Sequence, residues 1–375
     1  ALADPEGPRA AALRDALSHA ECSSPHFLSY TDLGRDVGAL RSVLPQDAIL
    51  RIDSPGRSVE AQAAMLNRGY GLGPGCTTTP ERVLALCQRK GLLVNSAQWY
   101  RGFTAILSDI SALLEGRPDV ASTASPEAIA TLFDKTSTHA LLRDDGIPVP
   151  PLVGNPQCYD DLDSMMTASG HNRVFVKLRY GSGASGIVAL ERSGSRIQAW
   201  TTVECVREGG EVELFNTRKI VRLRELEPIV TLVDALCKHE VHVERWVPKA
   251  GFQGCTFDIR HLVVAGAPAH AVLRMSKSPI TNLHLRNERA PVESIHDRFP
   301  AGAWDGVEAT CRQVAALFPE NLHVALDIAI SPDFRRHWVL EVNAFGDLIH
   351  DCLWRGKTPC DLQVAHLYGT MGSHV

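Results

Sequence analysis

Two apolar segments near the C-terminal end constrain the fold more than any other part of this chain. LDIAI covers residues 326–330, and LEVNAFGD covers residues 340–347 after the polar break SPDFRRH. Short apolar runs separated by turn-forming residues predict an antiparallel hairpin. Because side chains alternate along a strand, Glu341 and Asn343 share one face, which Asp327 of the first strand can join.

These three oxygen-bearing side chains suggest a bound cation. A buried carboxylate without a partner is costly, so a cluster of this kind on an apolar hairpin needs positive charge nearby. Hard oxygen ligands with few carboxylates suit Mg²⁺, which takes its remaining ligands from water and nucleotide phosphates. From spacing alone, the alternative is that the acids face solvent at the strand ends.

Length, charge and cysteine usage limit the class of protein. A chain of 375 residues can hold two or three modest domains. The net charge of −5 argues against a general binder of nucleic acid or anionic membranes. No apolar run is long enough to cross a membrane, and no segment resembles a signal peptide. The ten scattered cysteines contain no CxxC pair, so we expect a cytoplasmic protein; whether the N-terminus is complete is left open.

The first third of the chain predicts a layered α/β unit. Strand-like and helix-like segments alternate from residue 8 to about residue 110. The clearest strand is AILRIDS, residues 48–54. Ligands of open α/β sheets bind at the C-terminal ends of strands, so Arg51, Asp53 and Ser54 are candidate substrate contacts. The alternative is a turn that caps the next helix.

A glycine-rich segment follows a predicted helix over residues 127–146 that contains Lys135. Gly181, Gly183 and Gly186 form a literal GxGxxG, but a dinucleotide-binding turn requires a helix after the glycines, and the strand-like GIVALER follows instead. The pattern therefore predicts a hairpin with a glycine tip whose backbone N–H groups can close over phosphates. Lys177 lies on the entering strand, where its charge can reach a phosphate. A P-loop NTPase is excluded because no GxxxxGK[ST] sequence occurs.

Two arginines lie on the paired strands predicted for TFDIRHLVVAG and APAHAVLRMS. An arginine on a strand is more often a surface residue than a ligand. Arg260 and Arg274, however, come shortly before SPITNLHLRN, a segment rich in hydrogen-bond donors and acceptors. We therefore keep both as candidate site residues.

Taken in order, DK in a helix, FVK with a glycine-rich hairpin, ERWV, DIR, an arginine with NLH, LDIA and EVNA resemble the ATP-grasp superfamily. The likeness covers about residues 125–350, and it is greatest to the branch of ribosomal-protein glutamate ligases and glutathione-synthetase-like enzymes. It implies an α/β (α+β) chain with an ATP-grasp domain over residues 125–375. That domain would comprise a nucleotide-lid subdomain at about 150–240 and a catalytic subdomain at about 241–375. An N-terminal Rossmann-like α/β domain, residues 1–124, would precede it.

The resemblance also implies roles for residues. Phosphate contacts would come from Lys135 and Lys177, with a lid formed by Gly181, Ser182, Gly183 and Gly186. The adenine hinge would be Glu244, Arg245, Trp246 and Val247, acting chiefly through backbone groups, with Asp258 at the ribose. Arg274 and Asn282 would face the transferred phosphoryl group, and Asp327, Glu341 and Asn343 would hold one or two Mg²⁺ ions, for which Mn²⁺ can substitute. Arg260 and His284 would be further substrate contacts.

Two departures bear on the substrate. Relatives in this branch often carry an arginine where this chain has Ile280, and glycines where it has Arg286 and Asn287. Both positions lie where an acceptor should approach, so the substrate of the better-known enzymes is not transferred to this chain.

The implied function is an ATP- and Mg²⁺-dependent ligase that joins a carboxylate to an amine through an acyl-phosphate. The residues fit this chemistry because phosphoryl transfer asks a protein mainly to position groups and neutralise charge. A kinase acting on a small molecule and a nucleotide-binding module without turnover are the alternatives. The two substrates are small molecules or peptides that the sequence does not identify, and the oligomeric state, a homo-oligomer included, is left open.

Overall fold

A computed structural model describes residues 1–194, 196–282, 288–346, 349 and 352–371 of the chain. Within these ranges, an N-terminal helical unit is followed by two antiparallel sheets of six strands each. Residues of both sheets line one cavity. None of the described helices is long and apolar enough to cross a membrane.

The N-terminal unit is helical around a small parallel sheet. Its helices are α1 Pro8–His19, α2 Tyr30–Arg35, α3 Gly38–Val43, α4 Val59–Gly69, α5 Pro80–Gln88 and α6 Ser96–Glu115, and its strands are β1 Ile49–Leu50 and β2 Ala121–Ser122. Strand β1 pairs with β2 in parallel, and Leu2 forms parallel bridges to both Leu28 and Ile52. The strand predicted at residues 48–54 is shorter than expected, and residues 51–53 bond to Leu2 instead: the Leu2 N–H donates to the Arg51 carbonyl, and the Asp53 N–H donates to the Leu2 carbonyl. The Rossmann-like description of this unit stays a prediction.

The prediction of one continuous helix over residues 127–146 is wrong, because the segment forms two helices. α7 spans Pro126–Phe133 and α8 spans Lys135–Asp144. Asp134 between them leaves the helical conformation, and its carboxylate accepts hydrogen bonds from the backbone N–H groups of Thr136 and Ser137. Aspartate competes for backbone donors in this way, which favours a cap over a helix interior. Lys135 is therefore the first residue of α8.

The central sheet carries the glycine hairpin. Its elements are β3 Leu152–Gly154, α9 Tyr159–Ala168, β4 Arg173–Leu178, β5 Val188–Ser193, β6 Arg196–Glu208, β7 Glu211–Leu223, α10 Leu226–Cys237 and β8 Val241–Arg245, with strand order β3-β8-β4-β5-β6-β7. Strands β4 and β5 pair antiparallel on either side of residues 179–187, which confirms the predicted hairpin. Helices α9 and α10 pack on one face through a core that includes Leu162, Val176, Leu190 and Leu232.

The C-terminal sheet carries the acidic hairpin. Its elements are β9 Gly251–Phe252, β10 Cys255–Val264, β11 Ala267–Ser276, β12 Glu288–Pro291, a 3₁₀ helix Val292–Arg298, α11 Ala303–Ala316, β13 His323–Ile330, β14 His337–Asn343 and α12 Pro359–Met371, with order β12-β11-β10-β13-β14 and β9 beside β10. The antiparallel pair β13–β14 confirms the hairpin prediction. Along β10, Phe257 and Ile259 enter the core, while Asp258 and Arg260 lie on the opposite face.

The N-terminal unit is joined to both sheets. Its core is continuous with that of the C-terminal sheet, because Phe103 and Ile106 belong to the same buried cluster as Phe257 and Leu326. Residues 91–93 also lie along part of the outer edge of β7: the Leu93 N–H donates to the Leu214 carbonyl (2.8 Å), and the Asn216 N–H donates to the Gly91 carbonyl (2.6 Å). The division into domains at residue 124 stays a prediction.

Candidate functional site

A cavity with about 710 Å³ of empty space, open solvent included, lies between the central and C-terminal sheets. Most of the residues that the sequence singled out line it: Lys135, Lys177, Gly181, Ser182, Gly183, Glu244, Arg245, Val247, Asp258, Arg274, Asn282, Asp327 and Glu341. Residues from seven separate predicted motifs thus line one cavity.

Lys135 reaches the cavity from the first turn of α8. Its ammonium group donates to the Gly181 carbonyl and lies 3.0 Å from a carboxylate oxygen of Glu341. Burial raises the pKa of Glu341, but the charge of Lys135 outweighs it and holds the pKa below its usual value. Lys135 therefore connects the glycine loop to the acidic hairpin.

Lys177 is paired with a second buried acid. Its ammonium group contacts the carboxylate of Glu244 on the adjacent strand β8, and the Leu340 carbonyl lies 3.4 Å away. Burial raises the pKa of Glu244, but the charge of Lys177 and the nearby His242 ring, 3.7 Å away, lower it to about 2. Both predicted phosphate lysines therefore have carboxylate partners within the protein.

The glycine loop has the backbone shape that its sequence requires. Gly183 and Gly186 have φ of 62° and 64°, a region that favours glycine. A Cβ on Gly186 would lie 2.4 Å from the Leu178 side chain. The loop is held at its C-terminal side, where the Thr202 hydroxyl donates to the Ala184 carbonyl (2.8 Å). Gly186 itself is outside the cavity lining.

The predicted hinge has only part of its backbone directed at the cavity. The N–H of Arg245 donates to the Pro151 carbonyl (2.8 Å), and that of Trp246 donates to the Arg173 carbonyl (3.0 Å). The Trp246 ring packs against Trp200 and lies outside the cavity lining. Glu244, Arg245 and Val247 are the hinge residues that line the cavity.

The acidic hairpin places its three oxygen-bearing residues on one face. Asp327 lies directly opposite Glu341, and Ala325 lies opposite Asn343, so residues 327, 341 and 343 share a face. The Asn343 amide nitrogen donates to the Ala325 carbonyl (3.4 Å), which leaves its oxygen for another partner. Two carboxylates and an amide oxygen fit an ion that takes its other ligands from phosphates and water. Among the described residues, no group of three or more His, Cys, Asp and Glu side chains could hold a metal.

Asp327 is also held by both predicted arginines. Arg260 forms a two-pronged contact with it, one prong being the 2.9 Å pair between Nη2 and Oδ2. Nη2 of Arg274 lies 2.8 Å from the same Oδ2. Arg274 lines the cavity, whereas Arg260 does not. Arg260 therefore contacts Asp327 from outside the cavity lining.

The candidate contacts in the N-terminal unit lie elsewhere. Arg51 and Asp53 are buried and paired with each other (Nε to Oδ2, 2.6 Å), and Arg51 also donates to Gln363 of α12 (2.7 Å). The Ser54 hydroxyl accepts from the Gly56 N–H at 3.4 Å. None of these three residues lines the cavity. His284 lies outside the described residues.

Sequence reasoning missed two lining residues that bear chemistry. Lys249 is almost fully buried, and its ammonium group donates to the Thr281 hydroxyl (2.6 Å). Burial lowers the pKa of Lys249, although Asp258 opposes this. The signal was available, since Lys249 stands two residues after the hinge and Thr281 stands beside Asn282.

Comparisons with known proteins agree with this geometry. The family model described as YheC/D like ATP-grasp matches residues 129–346, more than half of the chain. Among solved structures, D-cycloserine synthetase DcsG has a TM-score of 0.56 at 13% identity over 99% of this chain and 98% of that one. Macrocyclase MdnC bound with precursor peptide MdnA, from Microcystis aeruginosa MRC, has a TM-score of 0.53 at 11% identity over 98% of each chain. ATP-grasp ligase PsnB, complexed with a phosphomimetic variant of minimal precursor, Mg and ADP, has a TM-score of 0.51 at 15% identity over 97% of this chain and 96% of that one. No curated protein matches the sequence.

Proposed function

This chain belongs to the YheC/D-like ATP-grasp family, and we propose that it is an ATP- and Mg²⁺-dependent ligase that forms a C–N bond between a carboxylate and an amine. The family match confirms the superfamily resemblance seen in the sequence. The narrower branch of glutamate ligases and glutathione-synthetase-like enzymes stays a prediction.

One observation carries the proposal: a single cavity brings together two lysines, a glycine loop, an arginine and a pair of facing carboxylates. Lys135 and Lys177 supply positive charge for the phosphates, and Phe175 and Leu340 supply apolar surface for a base. Both lysines are paired with carboxylates, so nucleotide binding exchanges one negative partner for another. This exchange avoids leaving a buried lysine without a partner.

Asp327, Glu341 and Asn343 are the residues that would hold magnesium. When bound, the ion would neutralise charge on the phosphate oxygens. Arg260 fixes the plane of the Asp327 carboxylate by its two-pronged contact.

The reaction begins with attack of a substrate carboxylate on the γ-phosphorus of ATP. The bond between the γ-phosphorus and its bridging oxygen breaks, ADP leaves, and an acyl-phosphate forms. An amine then attacks the acyl carbon, and phosphate leaves as the C–N bond forms and the amine loses a proton. Arg274 stabilises charge on the transferred group, since a guanidinium offers several N–H donors in a fixed plane. No protein nucleophile is required.

Trapping of the acyl-phosphate tests the proposal. The protein is incubated with ATP, Mg²⁺, hydroxylamine and pools of amino acids, small carboxylates and peptides; peptides are included because two structural relatives are complexed with precursors. We expect ADP and hydroxamate in equal amounts from at least one pool, and we expect Arg274→Lys to depress both. A phosphorylated product that resists hydroxylamine would establish the kinase instead. Nucleotide binding without ADP release from any pool would contradict the ligase.

A further inference from the structure

A buried group of three side chains connects the end of the hinge to the segment that carries Asn282. Lys249 follows the hinge, Asp258 lies on β10, and Thr281 precedes Asn282. We propose that these three residues form a positioning clamp that holds residues 279–282 and Arg274 in place, and that Asp258 does not contact the ribose. The inference rests on the proposed function for its nucleotide comparison only.

Both oxygens of Asp258 are already in use. Oδ1 accepts a hydrogen bond from Nε of Arg274 at 2.7 Å, and Oδ2 accepts one from the Thr281 hydroxyl. The ammonium group of Lys249 lies 3.5 Å from the same Oδ2. With only 1% of its surface exposed, Asp258 has little access to a ligand hydroxyl.

Lys249 holds the loop segment from its inner side. Besides the Thr281 hydroxyl, its ammonium group lies 3.5 Å from the Pro279 carbonyl, so its three N–H donors have three acceptors. The Thr281 hydroxyl accepts from Lys249 and donates to Asp258, which uses its one hydrogen. The hydroxyl is therefore the link between the two charged residues.

The clamp also orients Arg274 toward the cavity. Asp258 occupies Nε, and Asp327 occupies one N–H of Nη2. Within the described part of the chain, these two acceptors leave three of the five N–H donors of the guanidinium for a ligand. Asp258 contacts both Arg274 and Thr281, and Asn282 follows Thr281 directly. Asp258 therefore fixes the distance between Arg274 and Asn282, which are the two residues that we expect to face the transferred group.

Hydrogen exchange in the protein without nucleotide tests the clamp directly. Thr281→Val removes the linking hydroxyl at nearly constant volume, whereas Thr281→Ser keeps it and serves as the matched control. We expect the amides of residues 278 and 280–282 to exchange about tenfold faster in Thr281→Val and at the wild-type rate in Thr281→Ser, because a hydrogen bond between charged and neutral groups is lost in the valine variant. Equal exchange in all three proteins would overturn the clamp.

Nucleotide selectivity tests the role of Asp258. Calorimetry with Mg²⁺ would compare ATP, 2′-deoxy-ATP and 3′-deoxy-ATP in the wild type and in Asp258→Asn. We expect the affinity ratios between ATP and each deoxy nucleotide to stay within twofold of the wild type. A ratio that collapses toward one would show that Asp258 binds the ribose and overturn the inference. If Asp258→Asn does not fold, the clamp is tested by the hydrogen-exchange comparison of the two Thr281 variants. A wild-type protein that binds no ATP would contradict the proposed function, and exchange would still decide the clamp.

Discussion

Replacing Glu341 by glutamine should strengthen nucleotide binding in the absence of metal. In the structure Lys135 lies 3.0 Å from the Glu341 carboxylate, which is ionised at neutral pH because Lys135 holds its pKa below the usual value. A phosphate that binds without metal must compete with this carboxylate for the lysine. Glutamine removes the competing charge and leaves the side chain nearly the same size.

The size of the effect follows from the contact. A hydrogen bond with a charged partner contributes about 1.5–3 kcal/mol, so releasing Lys135 should tighten metal-free binding by about 10- to 150-fold. With Mg²⁺ present the sign reverses, because the same substitution removes an anionic ligand of the proposed metal site. One substitution is thus expected to act in opposite directions under two conditions.

Calorimetric titration with ATP, in EDTA and then in Mg²⁺, measures both effects. Glu320→Gln is the control, since it removes one negative charge from an exposed position. We expect the control to match the wild type in both titrations. Metal-free affinity that is unchanged or weaker in Glu341→Gln would refute the competition between phosphate and carboxylate.

Three further predictions concern stability and motion. Lys177→Met should lower the free energy of unfolding by about 3 kcal/mol at pH 7 in urea denaturation, because it leaves Glu244 charged and buried. The difference from the wild type should decrease in acid, as Glu244 becomes protonated. A difference that does not depend on pH would contradict this explanation. The amides of residues 181–186 should exchange more slowly when a non-hydrolysable ATP analogue and Mg²⁺ are added, and equal protection would show that the glycine loop is a rigid turn. Burial lowers the pKa of His323 to about 3, so the His323 side chain stays neutral in the native state. In the unfolded chain the same side chain takes up a proton below about pH 6.5. The free energy of unfolding should therefore decrease from pH 7 to pH 5, and this decrease should be about 2 kcal/mol smaller in His323→Leu than in the wild type. An equal decrease in the two proteins would show that His323 does not contribute to it.

Local pattern was enough to predict the strands that build the site. Alternation of polar and apolar residues placed Asp327 and Glu341 on one face, and strand register then brought them opposite each other. The glycine hairpin was predicted because the residues after Gly186 favour a strand. The positive φ of Gly186, which favours glycine, is consistent with a turn at this position. These features depend on neighbours in sequence.

The features that were missed depend on neighbours in space. The break at Asp134 has a local cause in its cap on Thr136 and Ser137, but the contact of Arg179 with its carboxylate (Nε to Oδ1, 2.7 Å) comes from a residue distant in sequence. Lys249 stands close to the hinge in sequence, but its partners Asp258 and Thr281 are brought to its ammonium group only by the fold. Ion pairing across sheets has no signature in a single sequence, so the internal partners of the predicted ligand residues were also unforeseen.

The contact of residues 91–93 with the outer edge of β7 bears on how this enzyme can be dissected. A fragment that began at residue 125 would uncover the backbone groups of residues 214–216 and open the core that the N-terminal unit shares with the C-terminal sheet. Bare strand edges recruit other chains, so such a fragment should aggregate although it retains every residue of the proposed nucleotide site. Chimeras that exchange acceptor specificity between relatives would accordingly have to transplant the N-terminal unit and the β7 edge as one piece.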